Sequence, residues 1–171
     1  MKLSSLLLTF VLALTLGSCA SKKPGTTPDS LSSVDKAAVD NGNNKGIGFE
    51  LNGDSDSNKA GALKTVFFDF NSAALSSSTK DALTNNANFL KTNTTVKVQV
   101  EGHADERGGV QFNLALGEKR AKGVREFLIA QGIDGSRIST ISFGKERPVA
   151  FGHDEDAWSK NRRANFVIVA K

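Results

Sequence analysis

The chain has 171 residues, a formal net charge of +4 and one cysteine. A single cysteine excludes an intrachain disulfide and a cysteine redox pair. Basic and acidic residues are interleaved along the chain, and the absence of a stripe of one sign disfavours nucleic acid as a partner.

The first 18 residues have the layout of a bacterial export signal. Met1 and Lys2 precede an apolar run that is too short to span a bilayer comfortably, and small residues end it just before Cys19. This ending resembles the lipobox of bacterial lipoproteins, which implies that residues 1–18 are removed and that Cys19 becomes acylated. An ordinary signal peptide that contains a cysteine is the alternative. Several acyl chains would hold the protein stably in its membrane.

Residues 19–62 are dominated by Ser, Asn, Gly, Asp, Lys and Thr, with only scattered apolar side chains. Such a composition buries too little apolar area to offset the entropy of ordering. We therefore predict an acylated, flexible tether over 19–62, followed by one folded domain over 63–171. With flexible-coil statistics, roughly 40 residues reach about 35 Å on average.

The predicted domain begins with a strand and a helix. Residues 65–70 are β-branched and aromatic, which predicts the first strand. Residues 76–91 place apolar side chains near helical spacing after a start rich in Ser and Thr, which predicts a capped helix. Residues 96–100 alternate apolar with polar and predict a second strand.

The second half of the domain repeats this alternation. A helix is predicted over 112–131 with its end at Gly132, followed by a strand over 138–143, a short helix over 154–161 and a last strand over 164–170. The last two strands resemble a hairpin, so we expect a mixed sheet. The predicted fold is a single α/β (α+β) sandwich in which helices pack against a small mixed β-sheet.

Opposite charges follow the second predicted strand. Asp105 lies in a Gly-flanked loop, and Arg120 lies on the next helix. Asn113, Leu116 and Arg120 are spaced i, i+3 and i+7, so they share one helix face. A carboxylate opposite a guanidinium suits a ligand that carries both an ammonium and a carboxylate. A structural ion pair is the alternative for the two charges, and core packing is the alternative for Leu116.

Several of these segments together closely resemble the OmpA-like C-terminal domain family, which includes peptidoglycan-associated lipoproteins. The matching segments are 66–70, 100–108, 113–124, 142–148 and 152–164. The resemblance covers the chain from about residue 63 to its end. It implies an OmpA-like domain that binds peptidoglycan without cleaving it.

The resemblance also implies roles for individual residues. Asp105 and Arg120 fall on the acid and the arginine that hold diaminopimelate of the peptidoglycan stem peptide. Other positions that line the family's site correspond here to Phe70, Asn71, Ala104 and Leu116. Many relatives carry Asp where this chain has Asn71, so one charge of that site is missing. For Asn113 we predict a role in organising the loop through hydrogen bonds to the backbone.

Localisation and partners are implied in the same way. The residue after the lipidated cysteine is Ala20, which is not the acidic residue that retains many lipoproteins in the inner membrane. The resemblance implies the periplasmic face of the cell outer membrane, peptidoglycan as ligand, and TolB and other Tol-Pal proteins as partners in envelope integrity and cell division. The alternatives are an OmpA-like lipoprotein outside the Tol system and a protein-protein module whose peptidoglycan site has decayed.

We predict no enzymatic activity, no cofactor and no metal. Glu101, Asp105 and Glu106 offer carboxylates for sugar cleavage, but the sequence marks no cleft that would hold them across a substrate. Motifs for a nucleophile elbow, a phosphate loop or a dinucleotide site are missing from the sequence. The two histidines, His103 and His153, lie in separate segments and have no cysteine partners, which disfavours zinc. A murein hydrolase is the competing enzyme hypothesis.

Overall fold

The computed structural model describes residues 48–171, so the predicted signal peptide, Cys19 and the first part of the predicted tether lie outside the described residues. The described helices and strands follow one another as β1 (Val66–Phe67), α1 (Ser77–Thr92), β2 (Lys97–His103), α2 (Val110–Ala130), β3 (Ile138–Gly144), α3 (Glu155–Asn161) and β4 (Arg163–Ala170), with a 3-10 turn at Gly135–Arg137 before β3. Within this range no helix is long and apolar enough to cross a membrane.

Local sequence accounts for most element ends. The Ser76 hydroxyl accepts a hydrogen bond from the Thr79 backbone N–H and caps α1, and the Asp154 carboxylate caps α3 in the same way. Gly132 follows α2 with φ 92°, the left-handed conformation that glycine adopts without strain. β1 is shorter than predicted because the chain turns directly after it, where the Ser72 N–H donates to the Asp69 carbonyl at 3.2 Å.

The sheet is mixed and has the strand order β1-β4-β2-β3. β2 and β3 are parallel, whereas β4 runs antiparallel to both β1 and β2. The expected mixed sheet is confirmed, but the hairpin suggested for the last two strands is wrong. β4 instead inserts between β1 and β2, because α3 separates it from β3 and carries the chain across the end of the sheet.

The hydrophobic core lies between the sheet and helices α1 and α2. Apolar side chains of β2 and β4 that alternate along the strands meet apolar side chains of both helices. The fully buried members of this core include Val98, Val100, Phe166 and Ile168 from the strands, and Leu83, Leu90, Val124 and Leu128 from the helices. The fold predicted from the pattern is thereby confirmed as one sheet with helices packed against it.

Residues 48–62, which composition assigned to the tether, pack against the domain. The Asn52 N–H donates to the Ile168 carbonyl at 2.8 Å, and the buried Ser55 hydroxyl donates to the side-chain oxygen of Asn165 at 2.8 Å. Ala60 is fully buried. β1 pairs only with the start of β4, so the rest of that edge of β4 is covered by this segment. The contacts are polar and backbone contacts, and the apolar content of the sequence does not reveal them.

A close backbone contact between α2 and β2 fixes the position of the helix along the strand. A Cβ atom on Gly102 would lie 1.9 Å from the carbonyl oxygen of Gly117, and a Cβ atom on Gly117 would lie 2.7 Å from the carbonyl oxygen of Gly102. Two backbones can approach this closely only where neither residue has a side chain. This contact sets the position of the helix face that carries Asn113 and Arg120.

Replacing Gly102 with alanine is expected to lower the free energy of unfolding by about 2 to 3 kcal/mol, since the new methyl group meets backbone that cannot move aside. Urea denaturation of the full chain in detergent measures the change. The control is Gly123→Ala on α2, where the nearest atom is 3.9 Å away, and there alanine should stabilise by up to about 1 kcal/mol. Equal stability of Gly102→Ala and the parent would contradict the close packing.

Candidate functional site

A small pocket at the C-terminal end of β2 collects most of the predicted site residues. The loop after β1, the loop after β2 and the first half of α2 converge there. Its walls are Phe70, Asn71, Asp105, Arg107, Phe112, Asn113, Leu116 and Arg120. The enclosed volume is about 10 Å³, which is room for about one water molecule.

Asp105 is the only carboxylate in the wall of this pocket, and it is shared by two arginines. Its Oδ2 accepts from Arg107 Nη2 at 2.6 Å and lies 3.5 Å from Arg162 Nη1. The side chain is only 4% exposed. Burial alone would raise the pKa of Asp105, but the hydrogen bonds from Arg107 and Arg162 outweigh burial and hold that pKa below its usual value. Asp105 is therefore ionised at neutral pH.

Arg107 closes the pocket over Asp105. Its guanidinium carbon lies 3.9 Å from the centre of the Phe70 ring and 4.0 Å from the Trp158 ring. These contacts add cation-π attraction to the ion pair. Arg107 is partly exposed and belongs to a surface loop, whereas Asp105 and Arg120 are buried.

Arg120 lies at the bottom of the pocket and is fully buried. Its Nε donates to the Ser72 carbonyl at 2.8 Å, Nη1 to the His103 carbonyl at 2.7 Å, and Nη2 to the Asp69 carbonyl at 3.0 Å. Burial lowers the pKa of Arg120 to about 10, so it keeps its charge at neutral pH. The structural ion pair considered between Asp105 and Arg120 is not formed, because each group is engaged by other partners.

The remaining predicted residues occupy different positions around the pocket. Asn113 is buried and its Nδ2 donates to the Arg107 carbonyl at 2.9 Å, which is the loop contact predicted for it. Leu116 is half-buried in the wall. Asn71 is exposed with φ 51°, a left-handed conformation that Asn and Asp tolerate better than other side chains. Ala104 faces a neighbouring cleft instead.

The histidines do not form a metal site, and residues 48–171 contain no group of three or more metal-ligating side chains. His103 is buried and stacks on Phe143, and burial lowers its pKa. His153 is exposed and hydrogen-bonds Glu106, which raises its pKa. The two rings belong to separate environments.

Sequence analysis gave no ligand role to two residues of the pocket wall, Arg107 and Phe112. Arg162, which contacts Asp105, was expected mainly to cap the short helix and anchor the last strand, with a contact to peptidoglycan carboxylates or a protein partner as the secondary alternative. The position of Arg107 two residues after Asp105 was a usable signal, because such spacing allows both a backbone and a side-chain contact to the carboxylate. Arg162 is 57 residues from Asp105, and only the tertiary fold brings it near.

A mixed four-strand sheet with helices on one face is an OmpA-like fold, and the OmpA family profile matches residues 67–162. The chain is 39% identical to the peptidoglycan-associated lipoprotein of Mesorhizobium japonicum over 92% of this chain and 88% of that protein. The crystal structure of the peptidoglycan-associated lipoprotein from Burkholderia pseudomallei is 41% identical with a TM-score of 0.59, covering 61% of this chain and 88% of that one. The cell wall anchor of the T6SS from Pseudomonas aeruginosa is 25% identical with a TM-score of 0.54, covering 63% and 80%. The chain therefore belongs to the OmpA family, and to the peptidoglycan-associated lipoproteins within it.

Proposed function

We propose that this chain holds peptidoglycan non-covalently by taking the diaminopimelate residue of the stem peptide into the pocket over Asp105. The observation that carries the proposal is the charge of the pocket: Arg107 and Arg120 line it together with the single carboxylate of Asp105, and Arg162 contacts that carboxylate from outside the wall. The names of the relatives, peptidoglycan-associated lipoproteins and a cell wall anchor, support the same ligand.

Diaminopimelate offers groups that match both signs of charge. Its side-chain ammonium would pair with Asp105, and its side-chain carboxylate would pair with Arg120. Nη1 and Nη2 of Arg120 each donate one hydrogen bond to a backbone carbonyl, and each carries a second hydrogen for a ligand. Phe70 and Leu116 would cover the methylene groups between the two ends of the ligand. Asn71 would contribute a neutral hydrogen bond where an aspartate would add a charge.

Ligand entry would require Arg107 to leave Asp105. The pocket encloses about 10 Å³, and the Asp105 carboxylate already accepts two side-chain hydrogen bonds from Arg107. A ligand ammonium would take the place of the Arg107 guanidinium, which would then be free to pair with a ligand carboxylate. Binding would thus exchange the ion pair between Asp105 and Arg107 for two ion pairs to the ligand, in addition to the pair at Arg120.

The ligand side of this exchange is tested by calorimetry with the full chain purified in detergent. A stem tripeptide ending in diaminopimelate is expected to bind. The same peptide with its side-chain ammonium acetylated should bind roughly 10- to 100-fold more weakly, because an amide cannot replace the charge opposite Asp105. A lysine-containing tripeptide, which lacks the side-chain carboxylate, is the matched probe for Arg120. Equal binding of all three peptides would contradict the proposal that the pocket recognises diaminopimelate.

A lipid anchor on Cys19 would tie this domain to the periplasmic face of the outer membrane. The described chain begins beside Phe49, whose ring packs edge-on against Phe89 near the end of α1. That end of the sheet also holds Lys97, at the start of β2, whereas the pocket lies at the other end of the same strand. Seven residues at about 3.3 Å each separate the two ends by about 23 Å. A flexible tether that joins the domain at that end would not have to cross the pocket.

Membership of the Tol-Pal system is the finer part of the proposal, with TolB as protein partner and a role in envelope integrity and cell division. Its support is the similarity to peptidoglycan-associated lipoproteins over most of the chain. An OmpA-like lipoprotein outside the Tol system, acting mainly as a protein-protein module, is the alternative. Capture of purified TolB from the same organism by the full chain separates the two.

We also propose that the chain binds the wall without cleaving it. No carboxylate besides Asp105 lines the described pocket, and Asp105 is engaged by Arg107 and Arg162. Glycoside cleavage usually needs two carboxyl groups about 5 to 10 Å apart across the substrate. Incubation of the full chain with purified peptidoglycan should release no soluble muropeptides, and release that depends on Asp105 would indicate a hydrolase.

A further inference from the structure

A second, larger cleft adjoins the pocket over Asp105, and we name it the Phe151 cleft. It has a volume of about 250 Å³, slightly below the 300 to 1,000 Å³ of pockets for drug-sized ligands. Its walls come from the loops after β2 and β3 and from α3. The residues used here are Ala104, Glu106, Lys145, Phe151 and His153.

The side chain of Phe151 is held out in solvent at the cleft. It is 89% exposed, the highest value among the large apolar side chains of residues 48–171. The loop that carries it is nevertheless firmly held, because buried Asn161 accepts from the N–H groups of Val149 and Ala150 at 2.8 and 3.1 Å and donates to the Ala150 carbonyl at 2.7 Å. The ring is therefore presented at the cleft by a rigid loop, so a ligand that packs against it would not have to order the loop first.

Hydrogen-bonding groups of both kinds line the same cleft. Lys145 Nζ donates to the carbonyls of Glu106 and Gly108 at 3.1 and 2.8 Å, which leaves one ammonium hydrogen for a ligand. Glu106 Oε1 accepts from His153 Nδ1 at 2.7 Å and from Trp158 Nε1 at 2.9 Å, and its second carboxylate oxygen can accept from a ligand. The cleft therefore matches a neutral ligand that both donates and accepts hydrogen bonds.

A sugar ring combines these properties, since it has an apolar face and a rim of hydroxyl groups. We propose that the Phe151 cleft binds one N-acetylated amino sugar of the glycan strand, with the ring face against Phe151 and its polar groups between Lys145 and Glu106. This inference rests on the proposed function, because it adds a glycan subsite to a stem-peptide site.

The Phe151 cleft and the pocket over Asp105 are adjacent, so one peptidoglycan fragment could fill both. Ala104 lines the cleft and Asp105, the next residue, lines the pocket. A peptide spans at most about 3.3 to 3.6 Å per residue, so the few residues between the sugar and diaminopimelate reach from one site to the other. The hydroxyl and amide groups of an N-acetylated amino sugar both donate and accept hydrogen bonds, so they would match the Glu106 carboxylate and the Lys145 ammonium of the cleft.

Calorimetry with the full chain in detergent tests the sugar subsite through a ratio of affinities. The two ligands are a stem tripeptide ending in diaminopimelate and the same tripeptide attached to its disaccharide. For the parent we expect the disaccharide to tighten binding roughly five- to tenfold, the gain expected of one aromatic contact with its hydrogen bonds. Phe151→Ala should reduce that gain to less than twofold and leave the affinity for the free tripeptide unchanged. Phe151→Tyr, which keeps a ring, should restore the gain.

The control variant is Phe67→Ala, which removes another exposed ring, one that does not line the cleft; it should retain the full gain. A parent that binds both ligands equally, or a Phe151→Ala variant that keeps the gain, would overturn the sugar subsite while leaving the stem-peptide site intact. A parent that binds neither ligand would overturn the proposed function itself. Phe151 would then be assigned to a protein partner.

Discussion

Replacing Arg120 with methionine is expected to lower the free energy of unfolding by about 3 to 5 kcal/mol, although the residue was singled out as a ligand contact. Methionine fills much of the same volume but donates no hydrogen bonds. The carbonyls of Ser72, His103 and Asp69 would each lose a charged donor, the His103 carbonyl in a buried environment and the other two in partly buried ones. Urea denaturation of the full chain in detergent at pH 7 measures the loss.

The reason for so large an effect is that Arg120 joins three parts of the domain. From α2 its guanidinium reaches the turn after β1 and the end of β2, and its carbon lies 5.0 Å from the centre of the buried Phe68 ring. Lysine carries the same charge on a compact ammonium and cannot span three separated carbonyls, so Arg120→Lys should fall between the parent and Arg120→Met.

Lys119→Met is the matched control on the same helix. Lys119 is exposed, and its replacement should change the free energy of unfolding by less than about 0.5 kcal/mol. If Arg120→Met were destabilised by less than about 1 kcal/mol, the three carbonyl contacts would contribute little, and Arg120 would serve the ligand alone. In either case, loss of binding in an Arg120 variant is informative only when its fold has been verified.

Elements with a strong local signal were predictable from the sequence. Helix α1 has a Ser cap and apolar side chains near helical spacing, and its observed bounds differ from the predicted 76–91 by one residue at each end. Strand β4 was predicted over 164–170 with Phe166 and Ile168 on one face, and the structure buries both. Side-chain period and capping act over a few residues, so a linear sequence displays them.

Long-range partners were not predictable in the same way. Residues 48–62 are polar and read as a tether, yet Ser55 is held by Asn165, which lies 110 residues away. The place of β4 between β1 and β2 likewise depends on which strand edges remain free after the helices have packed. Such contacts are selected by tertiary geometry, and composition carries no trace of them.

In the candidate site, too, the sequence predicted some residues and missed others that only the tertiary fold brings together. Helical spacing alone placed Asn113, Leu116 and Arg120 on one face, and all three line one pocket. The resemblance to a family supplied Phe70 and Asn71, which share that pocket. Neither source predicted that Arg107 would cover Asp105, because the sandwich between Phe70 and Trp158 requires α3 to lie beside the loop after β2. The roles of these residues toward a ligand remain predictions.

Replacing Asp105 with asparagine is expected to weaken binding of the diaminopimelate tripeptide about 10- to 150-fold. Asparagine keeps the shape of the side chain and can still accept a hydrogen bond, but it removes the charge that would face the ligand ammonium. The variant would also leave Arg162 with one carboxylate partner fewer. We therefore expect the free energy of unfolding to fall by about 2 to 3 kcal/mol at pH 7.

The pH dependence of the stability lost in Asp105→Asn distinguishes the effect of the charge from the effect of side-chain shape. Burial raises the pKa of Asp105, but hydrogen bonds from Arg107 and Arg162 bring it below the usual value. The folded state thus binds the proton less tightly than the unfolded state, so the stabilisation is complete above the unfolded pKa of about 3.9 and is lost as pH falls through the folded pKa. The difference in free energy of unfolding between the parent and Asp105→Asn, measured by urea denaturation at pH 7 and at pH 3, should narrow at the lower pH.

The control variant is Asp81→Asn, at an exposed position on α1, which should alter neither stability nor binding. An Asp105→Asn chain that is folded and binds the tripeptide as tightly as the parent would remove Asp105 from the site and leave the three arginines to recognise a purely anionic ligand.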